Sequence, residues 1–511
     1  MRGWGRWVGP LLWGMAVAVE LVLVVRACGG RFVYLLDDPY IHLALAENLA
    51  SGHHGVNLGE ASSPSSSLIW PWLLVPFVHT GLAELAPLCL NLLAGVAVWL
   101  GVDRVGSRLI DPTSPSREAW RAALGVAVLV LGNLTVLPLL GMEHTLHVAL
   151  GVWVLVGLAE EGDTGRVPPW LVAALVLEPW VRYEGVGVLV AGAGWLAWRG
   201  HRGAAFVAGL LGLGGLVAYS AVLLGLGLDA LPTSVHVKAG FAERGLLGVV
   251  KRLVNSLVEQ HGGGVPLGGA LIAGALALRH RVPEARWLVV PATVGVGHYL
   301  VGRYGWYGRY EIYATLFVGL GVALGIARLD PGLTRRVPLP ALGVGLWVLL
   351  AGFGAGYVDH ALHAPDAARN IHRNQAQLHR FVVDHLRGPV AVNDLGWVSW
   401  RNEAYVLDLW GLASREAYLA RVTAQDPAWM AALADRHDVP VAFLFATWFP
   451  EVPSDWTHLG ALVDEGRVEV VPEGRVEIWA TRRGAADALR PLLTAWAEGL
   501  PPGAHLELDA P

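Results

Sequence analysis

A succession of long apolar segments between residues 7 and 357 constrains this chain more than any other feature. A helix needs about 20 apolar residues to cross the ~30 Å hydrocarbon core of a bilayer. Hydrophobic residues make up 54% of the 511 residues and charged residues only 15%, against ~25% in soluble proteins. We therefore predict a polytopic α-helical membrane protein with about eleven spans, at residues 7–29, 84–102, 120–140, 144–160, 168–181, 185–198, 204–227, 264–279, 287–303, 310–327 and 339–357.

The charge balance and the cysteine count exclude several classes. A net charge of −5 suggests no nucleic acid as a partner. Two cysteines supply neither a disulfide framework nor a cysteine-based zinc site. From residue 359 the charges are evenly spread and no long apolar run remains, which divides the chain into a membrane domain, residues 1–358, and a soluble domain, residues 359–511.

The soluble domain is predicted to be α/β, because strand and helix patterns alternate along it. It shows no phosphate loop, no metal-spaced histidine cluster and no nucleophile elbow, so we assign it either acceptor binding or capping of the active site. The predicted strands are residues 389–392, 405–409, 441–446, 467–471 and 475–480, and the predicted helices are residues 366–386, 414–422 and 427–437.

Arginine clusters between the spans indicate the orientation of the chain. They place the N-terminus in the cytoplasm and the soluble domain outside, provided that the apolar stretch 66–80 is interfacial or re-entrant. Pro71 and Pro76 interrupt that stretch. Scarce lysine and abundant Ala, Gly, Arg and Val are typical of a high-GC bacterium, which predicts a multi-pass protein of the bacterial inner (plasma) membrane.

Two adjacent carboxylates, Asp37 and Asp38, follow the first span in a long external loop, residues 30–83. Asp38 before Pro39 is a common helix start, with the aspartate as N-cap, but that interpretation does not account for Asp37. Adjacent carboxylates at a membrane surface repel each other, and a site that keeps both usually uses at least one. A carboxylate whose pKa is raised by apolar surroundings and a like-charged neighbour suits a general base.

From residue 37 the sequence reads DDPYIHLALAENLASGHHGV. This acidic pair, short helix and Gly/Ser loop resembles the GT-C superfamily of integral-membrane glycosyltransferases, closest to its arabinofuranosyltransferase-like branch. Those enzymes use a polyprenyl-phosphate sugar as donor. The resemblance implies a GT-C-like fold with the donor's lipid tail in a groove between helices. It makes Asp37 the base that deprotonates an acceptor hydroxyl, with Asp38 sharing or orienting the proton transfer.

Four further motifs on the external side extend the resemblance over residues 30–325. They read GMEHT at residues 141–145, RYEG at 182–185, LPTSVHVK at 231–238 and GRY at 308–310. They resemble the family elements G-[LM]-E-T, R-P-E-G, L-P-N-T-x-x-x-K and G-R-[YF], with an extra His144 and with Tyr183 in place of proline. Residues 390–396 and 406–412 resemble the first two strand-and-turn units of the soluble domain in the same branch. The resemblance implies donor-phosphate or substrate contacts by Lys238, Arg309, Arg182, Glu143, Glu184, His54 and Tyr40.

Each motif also has a purely structural interpretation. Glu143 suits the first turn of a helix, where the helix dipole favours an acid, and Arg182 and Glu184 pair with each other in this reading. Arg309 either holds a phosphate bidentately or extends to the membrane interface. Lys238 is one of only two lysines among 37 basic residues, which favours a specific role.

No cofactor is firmly predicted. A divalent cation held by Asp37, Glu143 or His54 is an alternative, because carboxylate oxygens are the ligands that such ions prefer.

The sequence thus predicts an inverting polyprenyl-phosphate-dependent glycosyltransferase, of the EC 2.4 class. It would transfer a sugar, for which the resemblance suggests a pentofuranose such as arabinofuranose, to an extracytoplasmic glycan, lipid or protein in cell-envelope assembly. The alternative is a membrane transporter or lipid flippase, which predicts charged residues in mid-span, unwound helices and an internal repeat. The sequence shows one mid-span acid, Glu20, and no obvious repeat.

Overall fold

The computed structural model describes residues 3–239, 264–280 and 282–510. Each of the eleven predicted apolar segments overlaps an α-helix. The helices as far as residue 362, labelled in chain order, are α1 (Gly5–Ala27), α2 (Asp38–Ala50), α3 (Trp70–Leu74), α4 (Ala86–Leu109), α5 (Arg117–Leu131), α6 (His144–Thr164), α7 (Pro169–Val181), α8 (Val186–Trp198), α9 (Arg202–Gly225), α10 (Thr233–Ala239), α11 (Gly264–Arg279), α12 (Val289–Val301), α13 (Ile312–Leu329), α14 (Leu333–Arg336), α15 (Leu339–Phe353) and α16 (Ala355–Leu362).

Within the described residues, five helices are long and apolar enough to cross a membrane, and a sixth span results if α15 and α16, bent by 66°, are counted together. The helices in the other predicted spans are shorter than these five. For example, α7 has 13 residues and is only about 20 Å long. The five are Gly5–Ala27, Ala83–Leu109, His144–Thr164, Arg202–Gly225 and Ile312–Leu329. The count of eleven spans therefore stays a prediction.

The apolar stretch 66–80 folds into the five-residue helix α3 and the single 3₁₀ turn Val75–Phe77. A helix of that length is about 8 Å long, far short of the bilayer core. Pro71 and Pro76 lie in these two short elements, where the missing proline N–H costs no interior helical hydrogen bond.

A six-stranded sheet forms the centre of the soluble domain, with strand order β2-β1-β3-β5-β4-β6. β1 pairs in parallel with β2 and β3, and the remaining pairs are antiparallel. The strands are β1 (Val390–Val392), β2 (Val406–Asp408), β3 (Val441–Leu444), β4 (Thr457–Asp464), β5 (Arg475–Ala480) and β6 (Ala504–Leu508).

The strand prediction was wrong in three places. Residues 467–471 alternate like a strand, yet Val463 of β4 already pairs with Arg475 of β5, so these residues belong to the connection between the two strands. Strands β4 and β6 were not predicted. The register of the β4–β5 pair, rather than the local pattern, decides which residues of this region join the sheet.

The helices of the soluble domain surround this sheet. The predicted helix 366–386 is broken after Arg373 and continues as a short helix and a π-helical turn, Phe381–Leu386. Ser414 caps the next long helix by accepting a hydrogen bond from the Ala417 N–H. The helices are α17 (Ala364–Arg373), α18 (Gln375–Arg380), α19 (Gly396–Ser399), α20 (Arg415–Thr423), α21 (Ala428–Arg436) and α22 (Ala485–Ala497).

The first external loop is bonded to the edge of this sheet. The side chain of Asn57 accepts from the Val406 N–H and donates to the Val406 carbonyl, both at 2.9 Å, which occupies the exposed backbone groups of edge strand β2. The Tyr405 hydroxyl donates to Glu60 Oε2 at 2.6 Å. The soluble domain therefore holds the loop that carries the acidic pair.

Candidate active site

The two carboxylates of the acidic pair have different partners. Asp38 pairs with Arg309 through both guanidinium nitrogens, with Nη1 at 3.2 Å from Oδ2 and Nη2 at 3.2 Å from Oδ1. This two-point geometry gives strong, oriented pairing. The Asp38 side chain is 27% exposed, whereas that of Arg309 is 3% exposed. Asp38 is therefore the member of the pair that solvent reaches.

Asp37 is buried and bonded to the soluble domain. Its Oδ2 accepts the Gly396 N–H at 2.6 Å and its Oδ1 accepts the Trp397 N–H at 2.8 Å. Burial first, and then the nearby Asp394 carboxyl, raise the pKa of Asp37 well above its usual range. Helix α2 begins at Asp38, and the flanking Asp37 makes no side-chain cap bond, so the N-cap interpretation is not what the structure shows.

Arg182 lies at the centre of a second group of charges. Its Nη1 is 2.6 Å from Glu143 Oε1 and 3.0 Å from His144 Nε2, and its Nη2 is 2.9 Å from Glu184 Oε1. Burial alone would raise the pKa of Glu184, but Arg182 outweighs it and holds that pKa at about 2. Glu143 is fully buried. It pairs with Arg182, and it also lies directly before the first residue of helix α6.

Tyr310 joins the two groups. The Cζ atom of Arg309 lies 4.9 Å from the centre of the Tyr310 ring and that of Arg182 lies 5.4 Å from it, distances within the range of cation–π attraction. The Arg309 Nη2 also donates to the Tyr310 hydroxyl at 3.0 Å. We call Asp38, Arg309, Tyr310, Arg182, Glu143 and Glu184 together the charged cluster.

The guanidinium of Arg309 stays buried instead of extending to the membrane interface. Only 4% of the residue is exposed, and its Nη1 contacts the Met142 sulfur at 2.7 Å. Burial alone would lower the pKa of Arg309, but Asp38 and Tyr310 raise it above its ordinary value. A permanently charged donor is thus fixed beside the partly exposed carboxylate of Asp38.

The other predicted site residues lie elsewhere. Both ring nitrogens of His54 are bonded within the loop and to α9, Nδ1 to the Ser62 carbonyl at 2.8 Å and Nε2 to the Tyr219 hydroxyl at 3.2 Å. Tyr40 is fully buried and stacks on Trp397 at 4.1 Å, which packs the loop against the soluble domain. Lys238 belongs to α10, and its side chain lies outside the described residues.

The predicted cation ligands do not converge. Asp37 accepts backbone N–H groups, Glu143 pairs with Arg182, and His54 is bonded to Ser62 and Tyr219. Over the described ranges, the His and acid side chains whose ligand atoms come within 4.8 Å of one another are Asp359, His363 and Glu469. The three residues named from the sequence therefore do not form one cation site.

Sequence reasoning missed the partners that the soluble domain supplies. Gly396 and Trp397 bind Asp37 from 359 and 360 residues away, and only the resemblance of residues 390–396 to a family unit pointed to that region. Tyr310 belongs to the GRY motif at 308–310, but the sequence predicts no role for it. Its position next to Arg309 in an aromatic external loop was the available signal.

Comparisons with known proteins give a family match in the C-terminal part of the chain and similar solved structures. A family model described as a domain of unknown function (DUF8728) matches residues 369–480, and no curated protein matches the sequence. Among solved structures, ArnT from Cupriavidus metallidurans in the apo state is similar with a TM-score of 0.50 and 14% identity, covering 92% of this chain and 98% of that one.

Two other solved structures are more distant. The apo oligosaccharyltransferase of Archaeoglobus fulgidus has a TM-score of 0.47 and 11% identity, covering 97% of this chain and 76% of that one. The arabinofuranosyltransferase AftD from Mycobacteria has a TM-score of 0.43 and 17% identity, covering 92% of this chain and 41% of that one. The near-complete mutual coverage with ArnT is the basis for a shared fold. The chain shares the fold of ArnT.

Proposed function

We propose that this protein is an inverting glycosyltransferase that uses a polyprenyl-phosphate sugar as donor. The observation that carries the proposal is the Asp38–Arg309 pair, an accessible carboxylate held beside a buried guanidinium on the GT-C fold. ArnT from Cupriavidus metallidurans, whose fold this chain shares, has also been solved with undecaprenyl phosphate bound. A base for a hydroxyl proton and a fixed cation for a phosphate are the two groups that such a transfer needs.

Asp38 is the base in this proposal. Its carboxylate takes the proton of the acceptor hydroxyl, and the hydroxyl oxygen bonds to the anomeric carbon on the face opposite the phosphate. The bond from that carbon to the phosphate oxygen breaks, its electron pair leaves with polyprenyl phosphate, and the configuration inverts. Asp37, to which the sequence assigned this step, positions Asp38 instead, because its oxygens are buried against Gly396 and Trp397.

Arg309 links donor binding to the base. Its guanidinium pairs with Asp38, and an incoming phosphate competes for the same N–H groups. Pairing with the phosphate weakens the hold on Asp38, which raises the affinity of that carboxylate for a proton. The same guanidinium then stabilises the charge that develops on the departing phosphate. Lys238 is a second proposed phosphate contact, from the resemblance alone.

Arg182 is assigned a positioning role. Glu143, His144 and Glu184 already surround its guanidinium, and its contact with the reacting groups runs through Tyr310. We further propose the bacterial plasma membrane as the location, with the charged cluster and the soluble domain outside. A cell-envelope acceptor and a pentofuranose donor complete the proposal, and both rest on the sequence resemblance.

The test is a transfer assay with the full-length protein in nanodiscs. Radiolabelled polyprenyl-phosphate sugars, arabinofuranose first, are supplied with an envelope acceptor fraction to the wild type and to Asp38→Asn. Glu84→Gln serves as the control, because Glu84, directly after this external loop, forms an ion pair with Arg31 of the loop. The proposal expects transfer by the wild type and the control, and donor binding without transfer by Asp38→Asn.

One result of this assay would overturn the proposal. If the wild type neither binds nor transfers any polyprenyl-phosphate sugar, the glycosyltransferase proposal fails. A lipid-translocation assay in the same membranes then tests the transporter or flippase alternative.

A further inference from the structure

The four residues directly before Arg309 have an unusual backbone. Gly305, Trp306, Tyr307 and Gly308 have φ values of 84°, 47°, 66° and 67°, and we call residues 305–308 the left-handed loop. Glycine adopts this region readily, but bulky residues such as Trp306 and Tyr307 rarely do. Such a conformation persists only where surrounding groups hold it, and it concentrates at functional sites.

Glu311 holds the left-handed loop from its C-terminal side. Its Oε2 accepts the Gly305 N–H at 3.0 Å, and its Oε1 accepts the hydroxyl of Tyr357 at 3.2 Å. Glu311 directly precedes helix α13, but its side chain makes no cap hydrogen bond. Only 2% of the residue is exposed, and burying a carboxylate is costly unless hydrogen bonds satisfy it. The carboxylate therefore binds the loop and Tyr357 instead of capping the helix.

Two further contacts fix the same loop. The Asn133 side chain, in the segment after α5, donates to the Tyr307 carbonyl at 2.8 Å. The Tyr357 ring lies against Gly308 so closely that a Cβ atom there would be 2.6 Å from it. Tyr357 belongs to α16, the helix at the junction with the soluble domain. The left-handed loop is thus held at three points by residues outside it.

The loop sets the starting point of the Arg309 side chain. Gly308 and Arg309 are adjacent, so their Cα atoms are about 3.8 Å apart, and a shift of the loop is passed on to Arg309. Both terminal nitrogens of Arg309 lie 3.2 Å from oxygens of Asp38, and two-point pairing of this kind depends on orientation. A misplacement of about 1 Å can lower a reaction rate by about 10²-fold. Contacts that hold the loop therefore act on the proposed reaction through Arg309.

We propose that Glu311 is a positioning residue, whose carboxylate holds the left-handed loop in the conformation that places Arg309 for the donor phosphate. The inference rests on the proposed function, because that function brings a phosphate to Arg309. The sequence assigned no role to Glu311, although it directly follows the GRY motif. Because Tyr357 binds the same carboxylate, the inference also connects Arg309 to the helix at the domain junction.

The first test needs neither donor nor turnover. Hydrogen–deuterium exchange of the full-length protein in nanodiscs, followed by mass spectrometry, reports the amides of the left-handed loop. Glu311→Ala removes both acceptor oxygens. Glu311→Gln keeps an oxygen for the Gly305 N–H and supplies an amide that donates to the Tyr357 hydroxyl. Glu473→Ala is the matched control, because Glu473 also accepts a backbone N–H and a hydroxyl, both from Thr447.

The second test is the affinity of the same variants for undecaprenyl phosphate, with thermal unfolding of each variant as the check that it folds. We expect Glu311→Ala to exchange the loop amides faster than the wild type. We expect its affinity to be about tenfold weaker, with Glu311→Gln within about twofold of the wild type. Glu473→Ala should leave both loop exchange and affinity unchanged. Recovery in Glu311→Gln separates positioning by hydrogen bonds from a direct role of the negative charge.

Two results would overturn the inference. One is a folded Glu311→Ala variant that keeps wild-type exchange in the loop or wild-type affinity. The other is a Glu311→Gln variant that loses as much affinity as Glu311→Ala, because the charge of Glu311 would then act directly. A wild type that binds no undecaprenyl phosphate would overturn the proposed function and with it the phosphate role of Arg309, whereas the exchange data would still confirm or exclude the hold of Glu311 on the loop.

Discussion

The contact between Asp37 and the soluble domain predicts a large effect from one methyl group. A Cβ atom on Gly396 would overlap the Asp37 carbonyl oxygen and lie 2.5 Å from Asp37 Oδ2. Both hydrogen bonds of the carboxylate, from the N–H groups of Gly396 and Trp397, would lengthen or break. Gly396→Ala therefore weakens the attachment of the Asp37 segment to the soluble domain without altering any charge.

The magnitude follows from those two bonds. A hydrogen bond to a charged group contributes about 1.5–3 kcal/mol, and the lower bound gives about 3 kcal/mol for the two bonds together. For a unit of about 150 residues, 1 kcal/mol corresponds to about 2–4 °C in Tm. We expect the soluble domain of Gly396→Ala to unfold about 6–12 °C below the wild type.

The assay is thermal unfolding of the purified full-length protein in detergent, with limited proteolysis at a fixed temperature as a second readout. Gly388→Ala is the matched control, because a Cβ there meets only ordinary contacts with Leu386. Transfer activity should also fall in Gly396→Ala, since Asp38 follows Asp37 directly. If Gly396→Ala unfolds and resists protease like Gly388→Ala, the docking role of Asp37 is refuted.

Three further predictions concern the reaction and its pH dependence. Asp38→Asn should lower the rate of transfer by about 10²-fold or more, because it removes the proposed general base. If the variant keeps a tenth of the activity, Asp38 is not the base. Arg309→Lys should weaken donor binding about tenfold, because lysine cannot make the two-point contact. Arg335→Lys, at the exposed ion pair with Asp111, should leave donor binding unchanged, and equal loss in both variants would argue against a phosphate role. Burial raises the pKa of Asp394 from 3.8 to about 7, so its contribution to stability is full below pH ~4 and is lost as the pH rises through 7. Tm should therefore fall between pH 5 and pH 8, and Asp394→Asn should flatten that profile, whereas an unaltered profile would assign the effect to another group.

The soluble domain contributes to the candidate site from one side. Gly396 and Trp397 bind Asp37, and Val406 binds Asn57 of the same external loop. Without these contacts, the soluble domain would no longer hold the loop that carries Asp37 and Asp38.

Local features of the sequence determined the helices and the candidate residues. A chain inside a bilayer must satisfy its backbone hydrogen bonds within each segment, so apolar length alone located eleven helices. The external motifs likewise named Asp38, Arg309, Arg182, Glu143 and Glu184, whose side chains the fold brings together.

Only the tertiary structure decided which partners each of those residues has. Asp37 and Asp38 are equivalent in the sequence, and they differ because one faces backbone N–H groups 359 residues away while the other faces Arg309. Residues 467–471 have a strand pattern but lie outside the sheet, because pairing of Val463 with Arg475 excludes them. Burial, register and distant partners are properties of the assembled chain, and no short-range pattern contains them.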